Sequence, residues 1–406
     1  MTLPLFTPGF ARALATGAWL ALAALGAHGQ LQPPAPAPAQ SSAIGAATDL
    51  DAGLNESVIT LSKKVGPFTV DLETTVYRPD GDGPFPVAII NHGKATGDAR
   101  FQGRYRPAQA ARYFLQRGYA VVVPMRQGFS KSSGSYVTGQ CHVESNGRLQ
   151  AEDVQAVLSQ LATLRWADRE RIVVVGQSHG GWTTLALGAT QPAGVKGLVN
   201  FAGGLRQETC PGWRDNLVDG AAAYGRTTRL PSLWFYGDND SFFDRDTWTR
   251  MHARYTEAGA RAQLVAFGSF GTDAHNLFAS REGTSIWQPE LSRFLAAIGL
   301  PHEVRSEYAH YGQRGGLLPP PRTDHAPLDE VMRVPYLRNN GRGGYQAFLA
   351  KPTPRAFAIA PNGAWGWAEG GDDPLQRALD NCNRHAAAGG CRLYAVDDYV
   401  VWKETP

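Results

Sequence analysis

Short apolar runs alternate with amphipathic stretches along residues 57–299. The runs at 86–90, 120–124, 171–175, 195–201, 232–236 and 263–267 are almost uninterrupted by polar side chains, and a longer strand-like segment spans 68–77. Unbroken runs of this length suit strands buried on both faces. Between them the spacing turns helical. Val154, Val157, Leu158, Leu161 and Leu164 recur at the interval of one helix face within 151–164. Further helices are expected at 107–117, 182–189, 247–258 and around Phe294, ending near Gly299. Strands alternating with helices in this way predict an α/β fold, a doubly wound, mostly parallel sheet with helices on both faces.

The flanking segments read differently. Residues 301–354 are rich in Pro, Gly and Arg and are expected to form an irregular connector. Residues 355–406 return to order: hairpins at 356–360/364–367 and 391–396/399–402, the second turning at Asp397-Asp398, frame a helix at 374–387. They predict a small α+β C-terminal module. At the other end, Arg12 precedes the apolar run 13–25, and Ala27-His28-Gly29 offers small residues where a signal peptidase reads. That run is short for a membrane span, so residues 1–29 are expected to be a cleaved signal peptide and the protein periplasmic or secreted. An Ala/Pro-rich linker, 30–56, then leads into the α/β domain at 57–300.

Composition narrows the partners. A formal charge of +3 with no Lys/Arg cluster argues against nucleic acid. No stable membrane span is expected after signal removal. Cys141, Cys210, Cys382 and Cys391 form an even set without C-x-x-C spacing, which argues against zinc. Three pairings are possible in an oxidising compartment. Cys141–Cys210 with Cys382–Cys391 is the simplest, because each bridge then stays within one domain. The first bridge would pin two loops beside the candidate nucleophile. The second would staple a module of some fifty residues, roughly the size at which a core alone is marginal.

The chemistry is carried by Gly176-Gln177-Ser178-His179-Gly180, which follows the apolar run 171–175 and precedes a helical stretch. A strand, a sharp glycine turn and a helix are what expose a serine hydroxyl above a sheet. A serine needs a base, and the base needs an orienting group. After strand 232–236 comes Gly237-Asp238-Asn239-Asp240. Asp240 is preferred over Asp238 because a residue three past the glycine has room to turn back, and Asp246 ranks third. His275 follows strand 263–267 in a loop at the same sheet edge, whereas His252 falls inside a helix. The oxyanion donors are expected to be the backbone N–H groups of His179 and of Lys94, the latter in Asn91-His92-Gly93-Lys94 after strand 86–90. His92 is expected to brace that loop.

His92-Gly93, Gly176-x-Ser178-x-Gly180, Gly237-x-x-Asp240 and His275, in that order, resemble the α/β-hydrolase superfamily, nearest its dienelactone hydrolase-like branch, over about residues 60–300. The resemblance implies a Ser/Asp/His triad and carboxylic-ester hydrolysis without a cofactor or metal. The namesake enzymes of that branch use Cys where this chain has Ser178, which turns the expectation from lactones towards esters. Arg126-Gln127-Gly128-Phe129-Ser130 is similar to the Arg-Gly-x-Gly-x-Ser loop of cocaine esterase-like and X-Pro peptidase relatives, with Gln inserted. The C-terminal segment resembles small Cys-containing modules of exported bacterial proteins, with no chemistry attached and a possible role in binding a partner or surface. The expected function is therefore an exported serine hydrolase acting on small-molecule esters through an acyl-enzyme. The alternatives are a prolyl-oligopeptidase or X-Pro-type peptidase, for which the chain shows no propeller and no acidic pair, and an inactive binding protein on the same fold.

Overall fold

The computed structural model describes residues 50–312, 319–351, 353–369, 374–386 and 390–404. The expected signal peptide (1–29) and the linker up to residue 49 lie outside the described residues. Eight strands form the larger sheet: β1 (Glu56–Val65), β2 (Phe68–Tyr77), β3 (Phe85–Asn91), β4 (Ala120–Pro124), β5 (Ala167–Gln177), β6 (Val195–Phe201), β7 (Ser232–Tyr236) and β8 (Ala262–Ala266). Their spatial order is β1-β2-β4-β3-β5-β6-β7-β8. β2 is antiparallel to β1 and β4; from β4 onward every pairing is parallel.

Helices cover both faces. Ile172 and Val174 of β5 join the core formed with α2 (Val143–Leu161), α3 (His179–Gly188), α4 (Trp213–Thr227) and α5 (Arg245–Glu257). Val173 and Val175 point the other way, into the core formed with α1 (Ala108–Leu115) and α6 (Thr284–Ala297). A strand whose alternate side chains all meet apolar layers must read as one continuous hydrophobic run.

Within residues 50–300, three stretches differ from the sequence-based expectation. α2 starts at Val143, eight residues before 151, because its first turns bury Asn146, Gly147 and Gln150, polar or small residues that carry no hydrophobic period. α4 was not anticipated; its buried face is mostly Ala, Gly and Tyr around Leu217 and Val218, too weak an apolar stripe to stand out. Residues 50–56 are not free linker. Leu54 is buried in the core, and Glu56 is enclosed with Arg104 and Arg106. Burial works to raise the Glu56 carboxyl, but hydrogen bonds from Arg106, the Asp51 N–H and Arg104 outweigh it and hold it below the ordinary carboxylate range.

The second sheet, in the order β10-β9-β11-β12, consists of β9 (Arg355–Ile359), β10 (Trp365–Glu369), β11 (Arg392–Val396) and β12 (Tyr399–Val400), with α8 (Pro374–Asn383) packed on it. The stretch expected to be irregular supplies α7 (Asn339–Leu349) to the same body, with Tyr345 and Phe348 in its core. Glycine-rich Asn339–Leu349 has poor helix propensity, and packing overrides it: a Cβ on Gly344 would come within 2.2 Å of the Trp365 ring. Cys141–Cys210 and Cys382–Cys391 are both bridged. Two disulfides fit an oxidising compartment. No helix among the described residues is long and apolar enough to cross a membrane.

Arg355, only 6% exposed, organises the second sheet. Its guanidinium donates to the carbonyls of Phe348, Leu349 and Lys351 and to Asp398, and its backbone N–H donates to Asp397. Burial pushes the Asp397 carboxyl up to about 6; the Arg355 N–H opposes the rise, and the charges of Asp398 and Glu282 add to it. Arg281 and Tyr399 complete these surroundings. Because the unfolded value is about 4, this group's contribution to folding is full below about pH 4 and is lost as the pH rises through about 6. The melting temperature of Asp397→Asn relative to wild type should therefore rise by a few degrees between pH 4.5 and 7.5, as read by calorimetry. A difference independent of pH would contradict the assignment.

Candidate active site

β3 leads to β4 on one side and β5 leads to β6 on the other, so the crevice outside their carboxyl ends is the topological switch point where ligands bind in open α/β sheets. Ser178 sits there, between β5 and α3. Its backbone lies at φ 56°, ψ −124°, a left-handed conformation costly for a residue with a side chain. The neighbouring glycines make that turn possible. A Cβ on Gly180 would lie 2.0 Å from the Asn91 carbonyl oxygen, and one on Gly176 would lie 2.1 Å from the Gly180 carbonyl oxygen. The turn is also tied down: Ser178 N–H donates to Phe201 O, and the Gly204 N–H donates to Ser178 O.

The loop after β3 passes directly over Ser178. A Cβ on Gly93 would sit 3.3 Å from Ser178 Cβ, a tight approach that glycine makes without displacing its neighbour. His92 braces the loop: its Nδ1 lies 2.7 Å from the Gly93 carbonyl and its Nε2 accepts from the Arg126 N–H at 3.0 Å, which sets a neutral, Nδ1-protonated ring. Lys94 Nζ donates to the carbonyls of Ala95 and Gly97. His179 N–H, first in α3, has no carbonyl one turn back in its own helix to bond. Ser178, His179 and Lys94 line one cavity of about 290 Å³ with Ala95, Thr96, Leu205, Phe242 and Phe243.

Of the three acids considered, Asp240 meets the histidine. His275 Nδ1 lies 3.0 Å from Asp240 Oδ2 and 3.1 Å from Oδ1, and the carboxylate is fully enclosed. Asp240 Oδ1 also accepts the N–H groups of Phe242 and Phe243, at 2.8 and 3.0 Å. Asp238 turns out to Arg245, and Asp246 to Arg250. His252 Nε2 donates to the Ala262 carbonyl, and its ring packs edge-on against Trp234. The His275 ring stacks on Phe242, with centroids 4.3 Å apart, and Phe242 lines the cavity. Ser178 Oγ and the His275 ring share no hydrogen bond among the described contacts. In ligand-free sites that contact is often long and tightens when substrate binds.

Residues that sequence reasoning missed stitch these loops together. Asp273 Oδ1 accepts the His275 and Ser241 N–H groups, and its Oδ2 accepts the Ser241 hydroxyl at 2.6 Å. Asn239 bonds the backbone of Phe270 and Gly271. Gln177 Nε2 donates to the His275 carbonyl, and its Oε1 accepts from the Tyr105 hydroxyl. The signal available for Asp273 was its place two residues before a histidine at a short-helix start, a capping position. Cys141–Cys210 ties the loop before α2 to the one before α4, and Leu205, Arg206 and Glu208 of the latter line the cavity.

The electrostatics favour neutral imidazoles at the nucleophile. His92 and His179 are both held well below the usual histidine range, by burial first and then by the nearby charge of Arg126. Arg126 is itself wholly enclosed beneath Phe129, and burial pushes it down to about 10. His179 Nε2 lies 2.9 Å from Asn146 Oδ1, so its side chain faces away from the reaction and contributes structure.

The strand order and the strand–turn–helix at Ser178 describe an α/β-hydrolase type of fold. The family model for X-Pro dipeptidyl-peptidase (S15 family) matches residues 69–216, less than half of the chain; that span includes Ser178 and Arg126 and ends before Asp240 and His275. No curated protein matches. Similar solved structures include an esterase of Pyrococcus furiosus (15% identity, 61% of this chain and 92% of that one, TM-score 0.43). A Klebsiella pneumoniae protein described as a dienelactone hydrolase is similar at 20% identity, over 60% of this chain and 98% of that one, with TM-score 0.41. A puromycin-hydrolysing peptidase of Mycobacterium tuberculosis is similar at 19% identity, over 62% of this chain and 41% of that one, with TM-score 0.43.

Asp240→Asn should lower kcat by about 10³–10⁴-fold, whereas Asp238→Asn should change it less than about threefold. Asp273→Ala, which loosens the histidine loop without touching its ring, should cost about tenfold in kcat with KM nearly unchanged. Steady-state kinetics on one chromogenic ester decides all three; equal losses at Asp238 and Asp240 would reassign the acid.

Proposed function

We propose that this chain is an exported serine hydrolase that cleaves carboxylic esters through an acyl-enzyme. The reading rests on one observation: a buried aspartate–histidine pair, Asp240–His275, whose imidazole stacks on Phe242, a residue lining the same small cavity as the strained serine elbow. Ser178 Oγ attacks the ester carbonyl while His275 Nε2 takes its proton, and Asp240 holds the ring and stabilises the imidazolium. The N–H groups of His179 and Lys94 receive the oxyanion. His275 returns the proton to the departing alkoxide, and water then releases the acid by the same route reversed. The left-handed Ser178 backbone disfavours an inactive scaffold, because strain of this kind persists where a site uses it.

The partial match to X-Pro dipeptidyl-peptidases keeps peptide hydrolysis as the second reading. Recognition of a substrate amino terminus needs an unpaired carboxylate, and the acid at the cavity, Glu208, is paired with Arg206. A cavity of about 290 Å³ suits a small acyl group. The disulfides and the apolar segment 13–25 support export.

Ser178→Ala should reduce turnover by about 10⁴-fold or more and abolish labelling by a fluorophosphonate probe, with the melting temperature retained. Short-chain p-nitrophenyl esters should be turned over with kcat/KM at least about 10²-fold above that of Gly-Pro or Ala-Pro anilides. A preference for the anilides would establish the peptidase reading instead.

A further inference from the structure

Sequence reasoning treats the C-terminal sheet as separable from the chemistry. Its contacts say otherwise. The excursion that carries His275 runs between β8 and α6, and the turn joining β11 to β12 meets it on both sides of the histidine. On the near side, Thr272 Oγ1 donates to Asp398 Oδ2 at 3.5 Å. On the far side, Arg281 and Glu282 are near enough for their charges to act on Tyr399, and that of Glu282 on Asp397. The residues between these two contacts, 273–280, include the Asp273 cap and His275 itself.

The turn that makes these contacts is rigid. Asp397, at φ 48°, is held by the Arg355 N–H, and its own N–H donates to the Arg355 carbonyl; Asp398 is paired with the Arg355 guanidinium at 3.0 Å. The same body reaches the opposite flank of the site. Glu369 of β10 lies 3.4 Å from where a Cβ on Gly103 would be, and Arg377 of α8 faces the buried Glu56–Arg104–Arg106 group. Gly103 and Arg104 belong to the segment that continues from the loop passing over Ser178.

We propose that the Asp397–Tyr399 turn of the C-terminal sheet is a positioning device for His275, acting through Thr272 and the Arg281–Glu282 corner. It rests on the hydrolase reading above for its catalytic consequence. The physical logic is that a histidine on a long excursion is placed no better than the excursion is, and a catalytic imidazole tolerates little displacement. Within the α/β domain the excursion is tied to the acid loop by Asp273 and Asn239, which fix its inner edge. The C-terminal turn supplies the outer edge. Thr272, Arg281, Glu282, Asp397 and Asp398 are positioning residues; none of them touches the reacting atoms.

The test uses the full-length protein with Thr272→Val, Asp398→Ala, the double variant and, as a control on the outer face of α8, Asp380→Asn. Each single variant should lower kcat about five- to twenty-fold on a p-nitrophenyl ester with KM within twofold, and the double variant should lose no more than the worse single. Amide hydrogen exchange in a peptide covering 271–282 should accelerate about threefold or more in the same variants, with exchange in β5 and β7 unchanged. Asp380→Asn should match wild type in both. Losses that multiply in the double variant, or kcat and exchange both within about 1.5-fold of wild type, would overturn the proposal. Exchange is read without substrate, so it decides the positioning claim even if Ser178 is never labelled by a fluorophosphonate, the result that would instead end the hydrolase reading.

Discussion

The close backbone approach at the elbow is the constraint on which the rest of the molecule turns. Ser178 can hold a left-handed conformation only because the strand before it, the helix after it and the loop from β3 come within contact distance where three glycines leave no Cβ. That contact requires β3 and β5 to be parallel neighbours in register, Asn91 beside Gly176. The register is set in turn by strands whose two faces are both buried, which leaves no tolerance for a slip of one residue. The same geometry that strains the serine therefore also fixes the loop that passes over it.

Around that fixed centre, Asp240 and His275 ride on loops that need their own restraint. Asp240 is held by two backbone N–H groups of its own turn, and His275 by the cap that Asp273 supplies. Asn239 and Asp273 cross-connect the two loops, and Gln177 links the histidine back to the elbow. Three elements widely separated along the chain are thereby drawn together by hydrogen bonds whose buried members are expensive to leave unpaired. The neutral His92 and His179, kept so by burial and by Arg126, contribute shape without competing for the proton.

The C-terminal sheet fits the same economy. It builds a core of its own from Tyr345, Phe348, Phe357, Tyr394 and Trp402, with a disulfide bracing α8. A body stabilised independently can present a stiff turn to a neighbouring loop, which a flexible tail could not. Its contact with that loop is polar and not an apolar seam: Thr272 meets Asp398, which Arg355 also holds.

Most of the fold was legible in the sequence, because burial on both faces writes itself as unbroken apolar runs; β6 and β7 fall on the runs 195–201 and 232–236. The elbow was legible because its glycines are steric necessities local to five residues. The Asp397-Asp398 turn was readable for a similarly local reason, and the disulfide pairings because each bridge stays within one domain. What stayed hidden depends on long-range packing. α7 is helical against its propensity because Trp365 fills the space its glycines leave, and α4 and the start of α2 bury small or polar side chains that carry no period. The roles of Asn239, Asp273 and Gln177, and the meeting of Asp398 with Thr272, join residues from different loops. Sequence alone determined which groups this protein has for chemistry and in what order. Only tertiary structure decided which of them touch, because contact between distant loops is set by how the layers pack and not by any pattern along the chain.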